Sequence, residues 1–149
     1  MTNHVLAIDP GKMTGFAYVN RSDGTFLAGE LAFDGTCDML EGYASAFQED
    51  LTVFSESFII NAYTAKNTQA PWSLELIGVA RRTSRKYTGR DLALQSPSQA
   101  KGFSSDDRLK KMGWYTPGKG HANDASRHLL LACVSRGWVE DKVLKSLVT

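Results

Sequence analysis

The sequence predicts an α/β domain on a five-stranded mixed sheet: a three-strand antiparallel meander, then two parallel strands reached through helices. Three observations carry this. Residues 4–34 alternate apolar runs with Gly- and Asp-containing turns. From Thr36 onward, apolar positions recur at helical spacing. Strand-like and helix-like stretches then alternate, which calls for crossover connections and parallel pairing.

His4 to Asp9 holds the continuous apolar run Val5-Leu6-Ala7-Ile8 of a buried strand. Pro10-Gly11 turns the chain, and Thr14 to Asn20 returns as its hairpin partner. Ser22-Asp23-Gly24 is a second turn, and Thr25 to Asp34 forms a third strand. Thr36 can cap a helix from Asp38 to about Asp50, with Met39, Leu40, Tyr43 and Phe47 on one stripe. Leu51 to Phe58 is strand again. Pro71 suits the first turn of a helix reaching about Arg85, striped by Trp72, Leu76 and Val79. Leu92-Ala93-Leu94 is a short strand. Ser104-Ser105-Asp106-Asp107 caps a brief basic helix to Met112. GWYTPGKG, from Gly113, is a loop. An apolar helix follows from about Ala122 to Ser135, Gly137 ends it, and Val139 to Leu147 forms a tail helix.

The 149 residues fit one domain, 1–149, with a core of its own. An apolar fraction of 42% and a charged fraction of 22% exclude a disordered chain. No stretch is long and apolar enough to span a membrane, and no signal-peptide pattern opens the chain. Cys37 and Cys133 make no metal-spacing motif, so a reducing intracellular compartment is expected. The net charge of +1 conceals an asymmetry. From Lys66 to Lys119 eleven basic residues face four acidic ones, a net +7, leaving six against twelve, or −6, elsewhere. A basic middle between acidic flanks suits a polyanion gripped by one face; solvated helix faces are the plainer alternative.

Three carboxylates stand where packing would not put them. Asp9 ends the first strand, Glu56 interrupts the apolar TVFSESFII, and Asp124 opens the apolar helix in HANDASRHLLLA. His121 lies three residues earlier, and if the helix extends that far it shares a face with Asp124. Taken singly, Asp9 reads as a turn former, Glu56 as an edge-strand residue and Asp124 as a helix-start acid. Together they can converge where strand ends meet a helix. Oxygen-rich clusters of that kind suit Mg2+ or Mn2+, and a pair of ions stabilises both oxygens of an in-line phosphoryl displacement.

Four stretches, AIDPGKMTGFAYV, FSESFIINAYTAKN, LQSPSQAKG and GHANDASRHLLLA, are spread over nearly the whole chain. In that order they resemble the RuvC-like Holliday junction resolvases of the ribonuclease H-like nuclease superfamily. The resemblance implies a ribonuclease H-like fold in which Asp9, Glu56 and Asp124 are catalytic metal ligands. His121 takes a fourth position that the family fills with Asp or His. Lys101, in a loop after the short strand, would contact a phosphate near the cut. The implied activity is hydrolysis of a phosphodiester in a four-way DNA junction, leaving 5′-phosphate and 3′-hydroxyl ends without a covalent intermediate. The implied cofactor is Mg2+ (or Mn2+), two ions per site; an imidazole ligand tilts the preference toward Mn2+. A homodimer would match the two-fold symmetry of the junction. The setting would be the cytoplasm of a bacterium or phage-infected host, and the compact chain suggests a phage origin. The family also places an aromatic shortly after the glutamate to unstack bases. Phe58 is the nearest candidate and Tyr63 the next, though Phe58 also continues an apolar strand run.

Arg81, Arg82, Arg85 and Lys86 are candidate phosphate contacts, as are Lys110, Lys111 and Lys119. Trp114 and Tyr115 either stack on unpaired bases or anchor their loop. His128 lies on nearly the same helix face as His121; a packed, hydrogen-bonded histidine is the ordinary reading, contact with the site the other. Trp72, Leu76 and Val79 serve either the core or a subunit contact. Three rivals stay open. One is a nuclease of this fold with broader taste for flaps, forks or RNA–DNA hybrids; another is a non-catalytic DNA-binding relative. The third is an actin-like nucleotide-binding fold, for which the chain lacks room for a second lobe.

Overall fold

The computed structural model describes residues 2–58, 61–62, 66 and 70–138. Tyr63 and the tail helix expected over 139–147 lie outside the described residues. The strands are β1 His4–Asp9, β2 Met13–Asn20, β3 Phe26–Ala32, β4 Leu51–Glu56 and β5 Ala93–Gln95. They form one sheet in the order β3-β2-β1-β4-β5. β1 pairs antiparallel with β2 and β2 with β3, while β4 runs parallel to β1 and β5 to β4. The expected mixed α/β sheet is therefore present.

The helices are α1 Phe33–Phe47, α2 Ala70–Thr88, α3 Pro97–Phe103, α4 Asp106–Met112 and α5 Gly120–Ser135. Strand periodicity divides the sheet into two apolar faces. Val5, Ala7, Ala17, Val19 and Phe54 lie under α5, with Leu109 and Trp114 completing that core. Leu6, Ile8, Tyr18, Leu51 and Val53 lie against α1 and α2, where they meet Leu40, Ala44, Leu76 and Ala80. No helix among the described residues is long and apolar enough to cross a membrane.

Several local expectations shift. α1 begins at Phe33, directly after β3, so Thr36 is not the cap. It is buried in the first turn and its hydroxyl donates to the Ala32 carbonyl at 2.9 Å. In LQSPSQAKG the expected short strand is present, as the end of β5, but the expected loop after it is a helix. Ser96 accepts from the Gln99 amide while the Gln99 side chain accepts from the Ser96 amide, with proline in the first turn, so a helix follows. Lys101 thus rides on the last turn of α3. Ser105 caps α4 as the sequence implied, its hydroxyl accepting from Arg108 N. Trp114 anchors its loop: it is 8% exposed and stacks on Phe26 with ring centres 5.0 Å apart. Leu76 is fully buried within the chain, which settles it as core.

Candidate active site

Strand register brings the distant acids together. Asp9 pairs with Gly15 across the hairpin, and Glu56 pairs with Gln95 on β5. Ile8 partners Ser55 between the parallel β1 and β4, so Asp9 and Glu56 are the next residues along. Asp9 continues the Val5–Ala7 row and Glu56 the row of Phe54, both on the face beneath α5. Gly15, Asp9, Glu56 and Gln95 therefore form one line across four strands, at the end where β1 and β4 terminate.

The start of α5 crosses that line. His121 Nδ1 lies 3.2 Å from Asp9 Oδ2. A Cβ added at Gly15 would stand 1.8 Å from the His121 carbonyl oxygen, so only a glycine admits the helix this close. The sequence carried a signal for this, a glycine inside a strand pattern, which marks close backbone approach. Asp124 follows one turn later, half-buried, with Oδ1 3.8 Å from Arg127 Nε. Arg127 in turn binds Asp106 at the start of α4. Deeper along α5, the fully buried His128 sets Nε2 3.3 Å from Glu56 Oε1 and Nδ1 2.9 Å from Gln95 Oε1. Both readings of His128 hold at once: it is packed and hydrogen-bonded, and it touches the site. Gln95 is the residue sequence reasoning passed over.

Asp9 is not working as a turn former. The turn's polar groups are served by Thr14, which exchanges hydrogen bonds with the Gly11 amide and carbonyl, and by Ser73, whose hydroxyl donates to the Pro10 carbonyl at 2.9 Å. The Asp9 side chain is free of local duty and 7% exposed. Burial, the hydrogen bond to Glu56 and the charges of Glu56 and Asp124 push its carboxyl up to about 9, with Lys101 opposing. Burial acts on Glu56 in the same direction, but hydrogen bonds from His128 and Asp9 and the charges of His128 and Lys101 outweigh it. Its carboxyl is held down at about 2. The pair thus shares a proton, kept on Asp9 and donated to Glu56.

The donor set fits a hard divalent cation. Asp9 lies beside Glu56 and His121, Asp124 is close enough for its charge to act on Asp9, and the mutual repulsion of the carboxylates is what such an ion relieves. Asp124 stands toward Arg127 in this arrangement, and among the described residues no three His, Cys, Asp or Glu side chains already stand at clasping distance.

No family model matches the chain, and no curated protein matches it by sequence. Among solved structures, T. thermophilus RuvC in complex with Holliday junction substrate aligns over 90% of this chain and 95% of its own, with a TM-score of 0.67 at 17% identity. The fold is RuvC-like.

Within this RuvC-like fold the predicted cationic residues divide into two groups. Lys101 is exposed on α3, close enough for its charge to act on both Asp9 and Glu56. Lys119 is exposed and immediately precedes α5. Lys110 and Lys111 are exposed at the end of α4, with Lys110 Nζ 4.8 Å over the Tyr115 ring. Arg81, Arg82, Arg85 and Lys86 lie far along α2, whose first turn touches Pro10. Arg85 is about 18 Å beyond Ser73 at helical rise, near the opposite end of the sheet. There Arg81 and Arg85 pair with Asp91 at 3.5 and 2.8 Å. Half-buried Phe58 packs on the core shared by α1 and α2. A different aromatic pair borders the site: exposed Trp72 meets Phe33 edge-on at 5.7 Å, lining a cleft of about 590 Å³ with Lys12, Met13 and His121.

Proposed function

We propose that this chain is a divalent-metal-dependent endonuclease of branched DNA, acting on four-way junctions. The observation that carries the reading is one line of residues across the sheet. Asp9 and Glu56 stand side by side at two strand ends beneath the first turn of α5, with His121 at 3.2 Å from Asp9, in a fold like that of a junction-bound RuvC.

Asp9, Glu56, His121 and Asp124 would hold Mg2+ or Mn2+, two ions per site. When bound, such ions lower the pKa of an attacking water and neutralise the leaving 3′ oxygen. The protein's own part is to keep the four donors on rigid strand ends and one helix turn, and to yield the Asp9 proton as the ions enter. Lys101, beside the carboxylates, would draw the scissile phosphate in and orient it. Lys110, Lys111 and Lys119 extend that cationic rim along the backbone, while Arg82 and Lys86 suit an outlying arm. These contacts bind phosphate without reading bases, so affinity should fall steeply with salt. A homodimer would present two such sites to opposite strands of a symmetric junction.

Nicking of synthetic four-way junction, flap, RNA–DNA hybrid and linear duplex, with Mg2+ or with chelator, tests this. The expected result is metal-dependent cleavage of the junction well above linear duplex, abolished by Asp124→Asn with junction binding retained. Equal cleavage of linear duplex would defeat junction selectivity, and full activity in Asp124→Asn would defeat the site. The core position of Phe58 favours one second reading, a nuclease of this fold that cuts several branched substrates; flap cleavage as fast as junction cleavage would establish it.

A further inference from the structure

We propose that the buried Gln95–His128 pair is a positioning device for the Glu56 carboxylate, fixing the orientation in which it meets a divalent cation. The inference rests on the metal-nuclease reading above and concerns residues to which that reading gives no role.

Three observations carry it. First, His128 is 1% exposed on an apolar helix, among Ala125, Leu129 and Ala132, where an aliphatic side chain would pack without cost. A buried ring of two polar nitrogens is tolerable only if both are bonded, and both are, by side chains from two different strands. Second, the direction of the bond to Glu56 is fixed by chemistry. An ionised carboxylate can only accept, so Nε2 must carry the hydrogen it presents to Oε1, 3.3 Å away. At Nδ1 two states satisfy the 2.9 Å contact. Either a charged ring donates to the Gln95 carbonyl, or a neutral ring accepts from the Gln95 amide turned over. Both leave the donor on Glu56 unchanged. Third, Gln95 is itself buried and lies opposite Glu56 in the β4–β5 register. The prop and the residue it serves are therefore held by the same strand pair.

With Oε1 held by His128, Glu56 cannot rotate freely toward Lys101, and its remaining acceptor capacity stays directed at the Asp9 side. Neither His128 nor Gln95 touches substrate in this scheme; both act through Glu56. Such outer partners orient metal ligands, and losing one lowers metal affinity by about 10- to 100-fold.

The test uses the full chain and Mn2+ as the probe, followed by titration calorimetry and by electron paramagnetic resonance of free Mn2+. Thermal melting and junction affinity without metal run alongside. His128→Leu removes the donor and keeps the volume apolar; His128→Gln returns an N–H near the Nε2 position. The expected result is Mn2+ affinity at least about 10-fold weaker in His128→Leu, with unchanged junction affinity and a melting temperature no lower than wild type. His128→Gln should recover to within a few-fold. Should His128→Leu fail to fold, Gln95→Leu decides, with an expected Mn2+ loss of several-fold. Wild-type Mn2+ affinity in His128→Leu, or in Gln95→Leu where that variant decides, would overturn the proposal, as would a His128→Gln no better than leucine. Those outcomes leave the nuclease reading intact. A wild-type chain that binds no Mn2+ and cuts no junction would remove both together.

Discussion

Replacing Gly15 with alanine would drive a methyl group into the backbone of α5. The new Cβ would lie 1.8 Å from the His121 carbonyl oxygen, 2.2 Å from its carbonyl carbon and 2.8 Å from Ala122 N. Real Cβ atoms essentially never come within 3.0 Å of such neighbours, so the helix and strand must separate by at least 1.2 Å, the difference between 3.0 and 1.8 Å. Neither partner is a flexible side chain that could swing aside. Gly15 also pairs directly with Asp9, so the separation opens where His121 and Asp9 meet. A shift of about 1 Å in a positioned group costs on the order of 10²-fold in rate. Overpacking of this kind costs about 1–3 kcal/mol of stability, or roughly 2–12 °C in melting temperature at ~2–4 °C per kcal/mol. The assay is single-turnover nicking of a four-way junction in Mg2+, well below both melting temperatures, with junction affinity measured separately. The expected outcome is a rate about 100-fold lower with affinity little changed, because the exposed lysines stay in place. Gly78→Ala is the control: its Cβ meets nothing within 4 Å on exposed α2, so it should gain roughly 0.5–1 kcal/mol and cut normally. A Gly15→Ala protein that melts and cuts like wild type would refute the close-approach reasoning.

Asp9 should make the ion-free protein less stable as pH rises. Its folded-state pKa, about 9, stands above the ordinary aspartate value of 3.8, so the folded state binds the extra proton between those values. Stability is then full below about 3.8 and falls toward about 9, at up to about 1.4 kcal/mol per pH unit. Glu56, lowered from 4.5 to about 2, acts in the opposite sense and only in that acidic window. Asp9→Asn should flatten the alkaline slope and raise the melting temperature at pH 8 while abolishing cleavage; a slope unchanged in Asp9→Asn would count against the buried proton. Phe58→Leu trims a core contact of the α1–α2 face, so about 1 kcal/mol of stability should go while junction cleavage holds. A tenfold fall in cleavage with unchanged melting would instead make Phe58 a base-contacting residue.

Much of this molecule was legible in one dimension. β1 and the β2 return follow from local patterning, because a buried strand has to be continuously apolar and its turn has to hold Pro-Gly. The cap at Ser105 and the start of α4 are likewise local, since one hydroxyl and four residues settle them. The candidate site was legible in part for a related reason: a charge inside an apolar run is costly, so Glu56 stood out, while Asp9 and Asp124 drew notice only in combination with it.

What the tertiary structure alone decided is which groups stand next to which. α1 starts at Phe33 rather than after Thr36 because β3 feeds straight into it and Phe33 packs on Trp72, a contact 39 residues away that no local signal encodes. The α3 capping box was present in the letters, but Ser and Pro beside a short strand read equally well as a loop. The row Gly15–Asp9–Glu56–Gln95 depends on register between strands up to 80 residues apart. Its partner His128 depends on how α5 lies across that row. Local sequence sets residue type and element because backbone preference and burial act over a few residues. Pairing, register and helix crossing are set by packing between distant segments, so the neighbours that shift the carboxyl protons became visible only in the folded chain.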